Sequence, residues 1–510
     1  MFSLHSVHED SEMAMPSFSL DGNVPDDILF SIFSFLPIPD LVRCANVCRR
    51  WRRIVSEYSY VWKGKRYVSN RSPRESTEVR AVLCIVPLLQ ELDVKVTKMF
   101  EVKIIYPQLF LSVTNVCELR AVRDCQRVGC TYLSTDLNVA EVIFSSQSLI
   151  DFAALEKLQI IGGNPMLTPF KPDTRAECAV GSALELCPNL RELNVNVDAL
   201  SGDYLDCLEG VSRLQTLKIN CRGLEELTFL QHCSDTLEEL ELERCDDLPP
   251  AAYSELRHLG NVKKLRLCDC RAGAEALEVA AGGLRSLVSL QLDRCGLLSD
   301  LSFLRLCSQL RELRVEAKDR PPTGLQCLPA SVRSLCLVDN ATTADELSEV
   351  LQHLSLREEL KLCKVDLAHL GFLRHCPRLH HLYLESSTWP DTSVLSSLCH
   401  LTRLETLVLR RCSVDADVLS QTVSSLPQLH TLSLAYVEDV THLRFLRHCP
   451  QLHTLSLFCV FGLESNAYWE LCHLNKLEQL CVSVLVRDVV SDIIRPCLPR
   501  VKIYCSERFI

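Results

Sequence analysis

The sequence predicts an α/β repeat solenoid, with parallel strands on a concave face and helices on a convex face, preceded by a small all-α module. Three observations carry this. A pattern L-x-x-L-x-L, with Val or Ile allowed at the apolar places, recurs at intervals of 21 to 25 residues from Leu190 to Ile503. The segments between copies place apolar residues at helical spacing, as at Leu301, Leu304 and Cys307. Residues 24–62 fall outside the repeat and read as short amphipathic helices. A chain of 510 residues with 47% hydrophobic and 23% charged side chains has the apolar content for a core of that extent.

Copies run Leu190-Leu193-Val195, Leu214-Leu217-Ile219, Leu237-Leu240-Leu242 and onward to Leu477-Leu480-Val482 and Leu498-Val501-Ile503, with Arg357 in the first place of one copy. Alternation of period two marks a strand that turns its leucines inward. The rest of each copy must return along the other side. One copy alone exposes its apolar face, and stacking buries it. A longer period overlies the first: L-x-F-L-x-x-C ends at Cys233, Cys307, Cys376 and Cys449, about three repeats apart. An earlier copy, Leu155-Leu158-Ile160, precedes a longer interval in which Gly162-Gly163 and Pro165 to Pro172 read as an extended loop. From Ser69 to Asp151 the pattern blurs. Leu89-Leu92-Val94 fits and Val116-Leu119-Ala121 fits poorly, as expected of repeats that cap a solenoid end.

The N-terminal module opens Val24-Pro25-Asp26-Asp27, a proline and two acids where a helix start favours them. Ile28, Leu29, Ile32, Phe33 and Leu36 form one apolar face. Pro37-Ile38-Pro39 ends that helix, and Asp40 is placed to cap the next. Leu41, Cys44, Ala45, Val47, Cys48, Trp51, Ile54 and Val55 continue the apolar pattern. So small a helical module, marginal alone, is expected to dock on a partner. The run Arg49, Arg50, Arg52, Arg53 reads as the charged face of the last helix, the alternative being a nuclear-targeting or nucleic-acid patch.

These residues resemble two known families. V-P-D-D-I-L-F-S-I-F-S-F-L and D-L-V-R-C-A-N-V-C-R-R-W-R-R-I, closed by Trp62, resemble the F-box, with Val24 for its Leu and Asp27 for its Glu. The repeats resemble the leucine-rich repeat, whose pattern extends to L-x-x-L-x-L-x-x-N/C. Cys245, Cys270, Cys295, Cys412 and Asn340 hold the last place, whereas Asp198, Lys318 and Val437 depart from it and imply irregular turns. The resemblance divides the chain into a disordered N-terminal tail (1–20), an F-box (21–66), divergent capping repeats (67–154) and a leucine-rich-repeat solenoid (155–510). It implies a non-catalytic, substrate-recognition subunit of a Skp–cullin–F-box ubiquitin ligase, acting in the cytoplasm or nucleus and directing a protein substrate to proteasomal degradation. The F-box would bind the Skp adaptor and through it a cullin. Pro25, Ile28, Leu29, Ile32, Phe33, Leu36, Leu41, Val47, Cys48 and Trp51 would form that interface or its supporting core, two roles the sequence does not separate.

The second, third and fifth residues of each copy are expected to face outward. The fifth places carry mixed charge through Asn194, Lys218, Glu241, Arg266, Gln291 and Arg314, and turn neutral or apolar from Tyr383 onward. An apolar stretch is the better docking surface. A substrate is therefore expected at Lys361, His380, Tyr383, Val408, His430, Ser433, His453 and Ser456, the alternative being a merely solvated face. His380, Glu405, His430 and His453 hold the second places of successive copies, and strands ~4.7–4.9 Å apart would make them a ladder. Protonation would make it pH-sensitive. An open row is no closed tetrahedral cage, so no metal is assigned.

The remaining features exclude other classes. A formal net charge of −11 argues against a general nucleic-acid binder. The 28 cysteines include no C-x-x-C, and Cys117, Cys125 and Cys130 lack further ligands at zinc spacing. They read as buried, reduced, small apolar residues. Residues 1–20 lack the make-up of a secretory signal. The apolar stretch from Ala81 to Leu89 is too short to cross a bilayer, and Cys505 is misplaced for prenylation. No catalytic or phosphate-binding motif occurs, so neither enzyme activity nor cofactor is expected. A non-catalytic scaffold acting outside any ligase, and a solenoid-type enzyme inhibitor, stand as alternatives.

Overall fold

The computed structural model describes residues 24–57 apart from 46, residue 61, five strands between 66 and 136, residues 155–161, and residues 174–505 apart from 198–199, 318–321, 355, 357, 366, 388 and 390. The tail at 1–20, Trp62, Val116-Leu119-Ala121, Cys117, Cys125, Cys130, the loop at 162–172, Asp198, Lys318 and the Arg357 place fall outside the described residues. The chain divides into two compact units, residues 1–139 with 147–155, and residues 140–146 with 156–510.

The first unit begins with three helices, α1 (Asp26–Phe35), α2 (Ile38–Ala45) and α3 (Arg49–Glu57). Asp40 lies inside the first turn of α2 and pairs with Arg43 at 2.8 Å, so it does not cap that helix as expected. Proline suits an early helical position, and α2 therefore starts around Pro39 rather than after it. Strands β1 (Arg66–Ser69), β2 (Glu91–Val94), β3 (Lys103–Tyr106), β4 (Leu109–Leu111) and β5 (Tyr132–Asp136) follow. β2 runs parallel to β1 and β4, whereas β3 runs antiparallel to β4 and β5.

The second unit is a solenoid of fifteen strands, each paired in parallel with the next. They are β6 (Lys157–Ile161), β7 (Glu192–Asn196), β8 (Thr216–Asn220), β9 (Glu239–Glu243), β10 (Lys264–Cys268), β11 (Ser289–Asp293), β12 (Glu312–Glu316) and β13 (Ser334–Val338), followed by β14 (Glu359–Cys363), β15 (His381–Glu385), β16 (Thr406–Arg410), β17 (Thr431–Ala435), β18 (Thr454–Phe458), β19 (Gln479–Val482) and β20 (Lys502–Tyr504). From β7 to β19 the second and fourth residues of every strand are buried Leu, Ile or Val. Burying such a side chain contributes about 1.5–3 kcal/mol, which makes the repeated leucines the spine of the unit.

After most strands the next residue turns left-handed. Arg244, Asp269, Arg294, Asp339, Lys364, Ser386, Arg411, Tyr436 and Cys459 have φ between 49° and 55°. The N–H of Asp269 then reaches Asp293 O at 2.9 Å, and that of Tyr436 reaches Phe458 O at 2.9 Å. In the following place a thiol or hydroxyl bonds back to the preceding repeat, as Cys270 to Leu242 O, Cys412 to Leu384 O and Ser387 to Leu362 O. Val437 was expected to break this turn and does not. The left-handed Tyr436 makes the bend, and Val437 only has to be buried beneath it.

The returns differ in kind from the expected helices. Most are 3-10 segments, and an α-helix appears at every third return from β10 onward. Thr228–Cys233 and Pro250–His258 precede α5 (Ala274–Ala281); Ser302–Leu306 and Leu325–Cys327 precede α6 (Ala344–His353). Gly371–His375 and Thr392–His400 precede α7 (Ala416–Ser424); Arg444–His448 and Ser465–His473 precede α8 (Arg487–Cys497). The L-x-F-L-x-x-C motif thus opens each group of three. An additional helix, α4 (Thr174–Leu186), lies between β6 and β7. A 3-10 turn rises ~2.0 Å per residue against ~1.5 Å for α, so it spans a short return with fewer residues.

The last copy sits two residues from its expected register: Ile503, not Val501, lies opposite Leu480. A shift of two preserves the inward–outward alternation, so the pattern alone does not resolve it. A capping box starts α6, where Glu346 N–H donates to Thr343 Oγ1 at 3.3 Å and Thr343 N–H to the Glu346 carboxylate at 2.8 Å. Thr343→Ala is expected to cost about 1 kcal/mol, read as roughly fivefold faster exchange of the α6 amides.

Most of the described cysteines are buried as expected, and burial pushes the Cys187, Cys376 and Cys449 thiols up to about 12. The reduced state does not hold throughout. Cys472 on the Ser465–His473 return and Cys497 on α8 form a disulfide. Consecutive returns bring their Cα atoms to 5.6 Å, within bonding range.

Candidate functional site

The residues singled out in the sequence lie on two surfaces, one in each unit. On α1, residues 28, 32 and 35 fall on one stripe and residues 29 and 33 on the adjoining one. Ile28 is 50% exposed, Ile32 49% and Phe35 88%, and Val47, between α2 and α3, is 63% exposed. Pro25 is exposed beside them. Leu29, Phe33 and Leu41 are buried, together with Ala45, Ile54 and Val55. Leu36, Cys48 and Trp51 are half-buried, the Trp51 ring meeting Phe33 edge-on at 5.0 Å. The ten expected residues therefore separate into an outward set (Pro25, Ile28, Ile32, Val47), a supporting core (Leu29, Phe33, Leu41) and three at the boundary. Phe35 was missed, although its spacing of seven from Ile28 places it on the same stripe.

The arginine run ties the module together. Asp26 accepts from Arg50 at 2.6 Å and from Arg53 at 3.2 Å. Arg50 also donates to Val24 O at 2.6 Å, and Arg52 to Ala45 O at 3.1 Å. Three of the four arginines thus hold α3 against the start of α1 and the end of α2. These pairs are partly exposed and individually weak. Asp26→Ala is expected to destabilise the module by about 0.5–1 kcal/mol, measured as two- to fivefold faster hydrogen exchange in α1.

On the strand face of the solenoid the middle residues form one row by register, running Lys361, Tyr383, Val408, Ser433 and Ser456 through β14–β18. Lys361 Nζ stands 5.4 Å from the Tyr383 ring centroid. Burial, with Glu359 nearby, pushes the Tyr383 phenol up. His380, Glu405, His430 and His453 lie at the N-terminal rim of their strands. The backbone ladder continues through them, His453 N–H to His430 O at 2.8 Å and His430 N–H to Glu405 O at 2.9 Å. The expected side-chain ladder is present between His430 and His453, whose ring centroids lie 5.3 Å apart. The His380 ring instead packs on its chain neighbour His381 at 6.3 Å.

The opposite, C-terminal rim holds a cluster that a reading confined to L-x-x-L-x-L missed. It belongs to the seventh and eighth places. The guanidinium groups of Arg410 and Arg411 lie 5.7 and 5.0 Å from the Tyr436 ring centroid, and Tyr436 packs on Phe458 at 5.6 Å.

Charge is distributed differently earlier in the sheet. Lys218 pairs with Glu239 and Glu241, Arg266 with Glu241, and Arg314 with the buried Asp293 at 2.9 Å. Among the described residues, Glu243, Cys268 and Asp269 bring three potential metal-ligand atoms within 4.8 Å of one another. Arg294 already fills that cluster, donating to Asp269 at 2.6 and 2.7 Å and to Cys268 Sγ at 3.2 Å. Its guanidinium holds the Asp269 carboxyl below the usual range.

Residues 22–65 match the F-box-like family model. An F-box/kelch-repeat protein of Arabidopsis thaliana is 44% identical over 52 residues, which are 10% of this chain and 13% of that protein. F-box/LRR-repeat protein 12 of Homo sapiens is 42% identical over 40 residues, 8% of this chain and 12% of that protein. The match thus spans about an eighth of the length of these curated relatives. Among solved structures, an internalin of Listeria monocytogenes is similar at 18% identity and a TM-score of 0.42, covering 59% of this chain and 83% of its own. An LRR protein of Leptospira interrogans is similar at 17% identity and a TM-score of 0.39, covering 77% and 92%. The leucine-rich-repeat architecture itself rests on the fifteen parallel strands of this chain. No helix of the described residues is long and apolar enough to cross a membrane.

Proposed function

We propose that this chain, an F-box-like module followed by leucine-rich repeats, is the non-catalytic substrate-recognition subunit of a Skp–cullin–F-box ubiquitin ligase. The observation that supports it most is the uncovered stripe Ile28, Ile32, Phe35 with Val47, on residues that match the F-box-like model. Three large apolar side chains, each about half exposed or more, on one ten-residue helix are a surface in need of a partner. That partner is the Skp adaptor, which brings a cullin. Leu29, Phe33 and Leu41 support the stripe from beneath. The repeats hold a protein client on the strand face of β14–β18, and the complex works in the cytoplasm or nucleus, directing its client to the proteasome.

The test is co-purification of cullin with the tagged chain from cells. Cullin accompanies the wild-type chain and is lost from Ile28→Asp/Ile32→Asp. Equal recovery of cullin with both, or none with the wild type, contradicts the proposal.

A further inference from the structure

We propose that the recess over β15–β18 binds an extended acidic peptide segment of a partner protein, its carboxylates directed to Arg411 and the floor hydroxyls of Ser433 and Ser456. The inference deepens the function proposed above and rests on its placing of the client on this face.

The recess is built from small side chains between larger ones. Register aligns Tyr383, Val408, Ser433 and Ser456 in one row, and Glu385, Arg410, Ala435 and Phe458 in the next. Val408, Ser433, Ala435 and Ser456 form the floor. Tyr383 closes one end, and Tyr436 with Phe458 stands along the C-terminal rim. Ser433 and Ser456 are each only 4% exposed and stand opposite each other in register. Their hydroxyls are two adjacent donors for an acceptor laid along the strand face.

The rims set the sign of the ligand. Arg411 is exposed and held over the Tyr436 ring; among the described residues no carboxylate pairs with it. Glu385 is engaged by Arg410 at 3.3 Å. His430 and His453 line the other rim, with Glu405 beside them. In β8–β12, by contrast, Lys218, Arg266 and Arg314 are spent on acids of the same sheet. Four strands at ~4.8 Å spacing span roughly 15 Å, the reach of four or five extended residues. A nucleic acid requires a longer run of cations along its phosphates.

The test uses the full chain and fluorescein-labelled hexaglutamate, followed by anisotropy, with hexalysine and hexauridylate for comparison. Hexaglutamate binds and hexalysine does not. Arg411→Glu, which reverses the rim charge, and Ser456→Tyr, which fills the floor, each weaken binding at least about tenfold. Arg411 lies on the surface, so its variant keeps the test open where the Ser456 variant fails to fold. Hexaglutamate binding that is absent, or unchanged by Arg411→Glu, overturns the proposal. So does hexauridylate binding as tight as hexaglutamate. Adaptor binding of Arg411→Glu, measured in parallel, stays at the wild-type level, so failure here is distinguishable from failure of the ligase assignment.

Discussion

Ile28→Asp/Ile32→Asp is expected to lose adaptor binding by at least about 100-fold while its helices stay folded. Both side chains are about half exposed in the free chain, so polar replacements cost little within the module. In the proposed complex the same positions are covered. Losing the remaining apolar burial forfeits roughly 1 kcal/mol at each place, and a carboxylate taken out of water without a partner adds a larger penalty. About 2.8 kcal/mol already corresponds to 100-fold in affinity. Leu29→Ala/Phe33→Ala should behave in the opposite order. These side chains are buried, and truncating them costs about 2–5 kcal/mol each, enough to unfold so small a module. Circular dichroism and adaptor titration on both variants separate the two roles. Unfolding of the aspartate variant, or unimpaired binding by it, would refute the division into stripe and core.

Gly283→Ala is expected to disrupt the solenoid although it adds a single methyl group. A Cβ at position 283 would lie 1.8 Å from Arg257 O and 2.5 Å from its carbonyl carbon. These are backbone atoms of the preceding return, which cannot swing aside as a side chain can. One repeat must shift against the next, at a cost of about 3 kcal/mol or more. Each repeat leans on its neighbours, so hydrogen exchange should accelerate from residue 250 to about 293 and leave α1 unchanged. Gly296→Ala is the control. A Cβ there meets nothing within 4 Å, and the change should stay within about 0.5 kcal/mol. Equal protection in the two variants would show that the repeats tolerate this displacement.

The solenoid was legible because its signal is redundant. Leu265, Leu290 and Leu313 repeat one physical demand, an inward side chain at a fixed register, and each copy corroborates the others. Where a demand is met once, the sequence was weaker. Ile503 was placed two residues out because period-two alternation survives that shift. The turn at Val437 looked irregular because the residue that makes it is Tyr436, whose left-handed conformation no side-chain preference announces. The returns were read as α-helices because a spacing of three, as between Leu301 and Leu304, fits a 3-10 turn equally well. In the N-terminal module most of the apolar residues were found, Phe35 excepted, but not their division. Ile28 and Leu29 are adjacent and chemically alike, and only the packing of α1 shows that one faces out and the other in. The bridge from Asp26 to Arg50 and Arg53 spans more than twenty residues, and no local pattern marks it. The Arg411–Tyr436–Phe458 cluster is assembled from three successive repeats by the register alone.

The ligase assignment depends on direct binding between the outward stripe of α1 and the Skp adaptor. Titration of purified adaptor into the purified full chain tests it without cells or client. The expected result is a one-to-one complex with a Kd below about 1 μM, equivalent to roughly −8 kcal/mol, abolished by Ile28→Asp/Ile32→Asp. No complex at tens of micromolar adaptor, with the helices folded by circular dichroism, would contradict it.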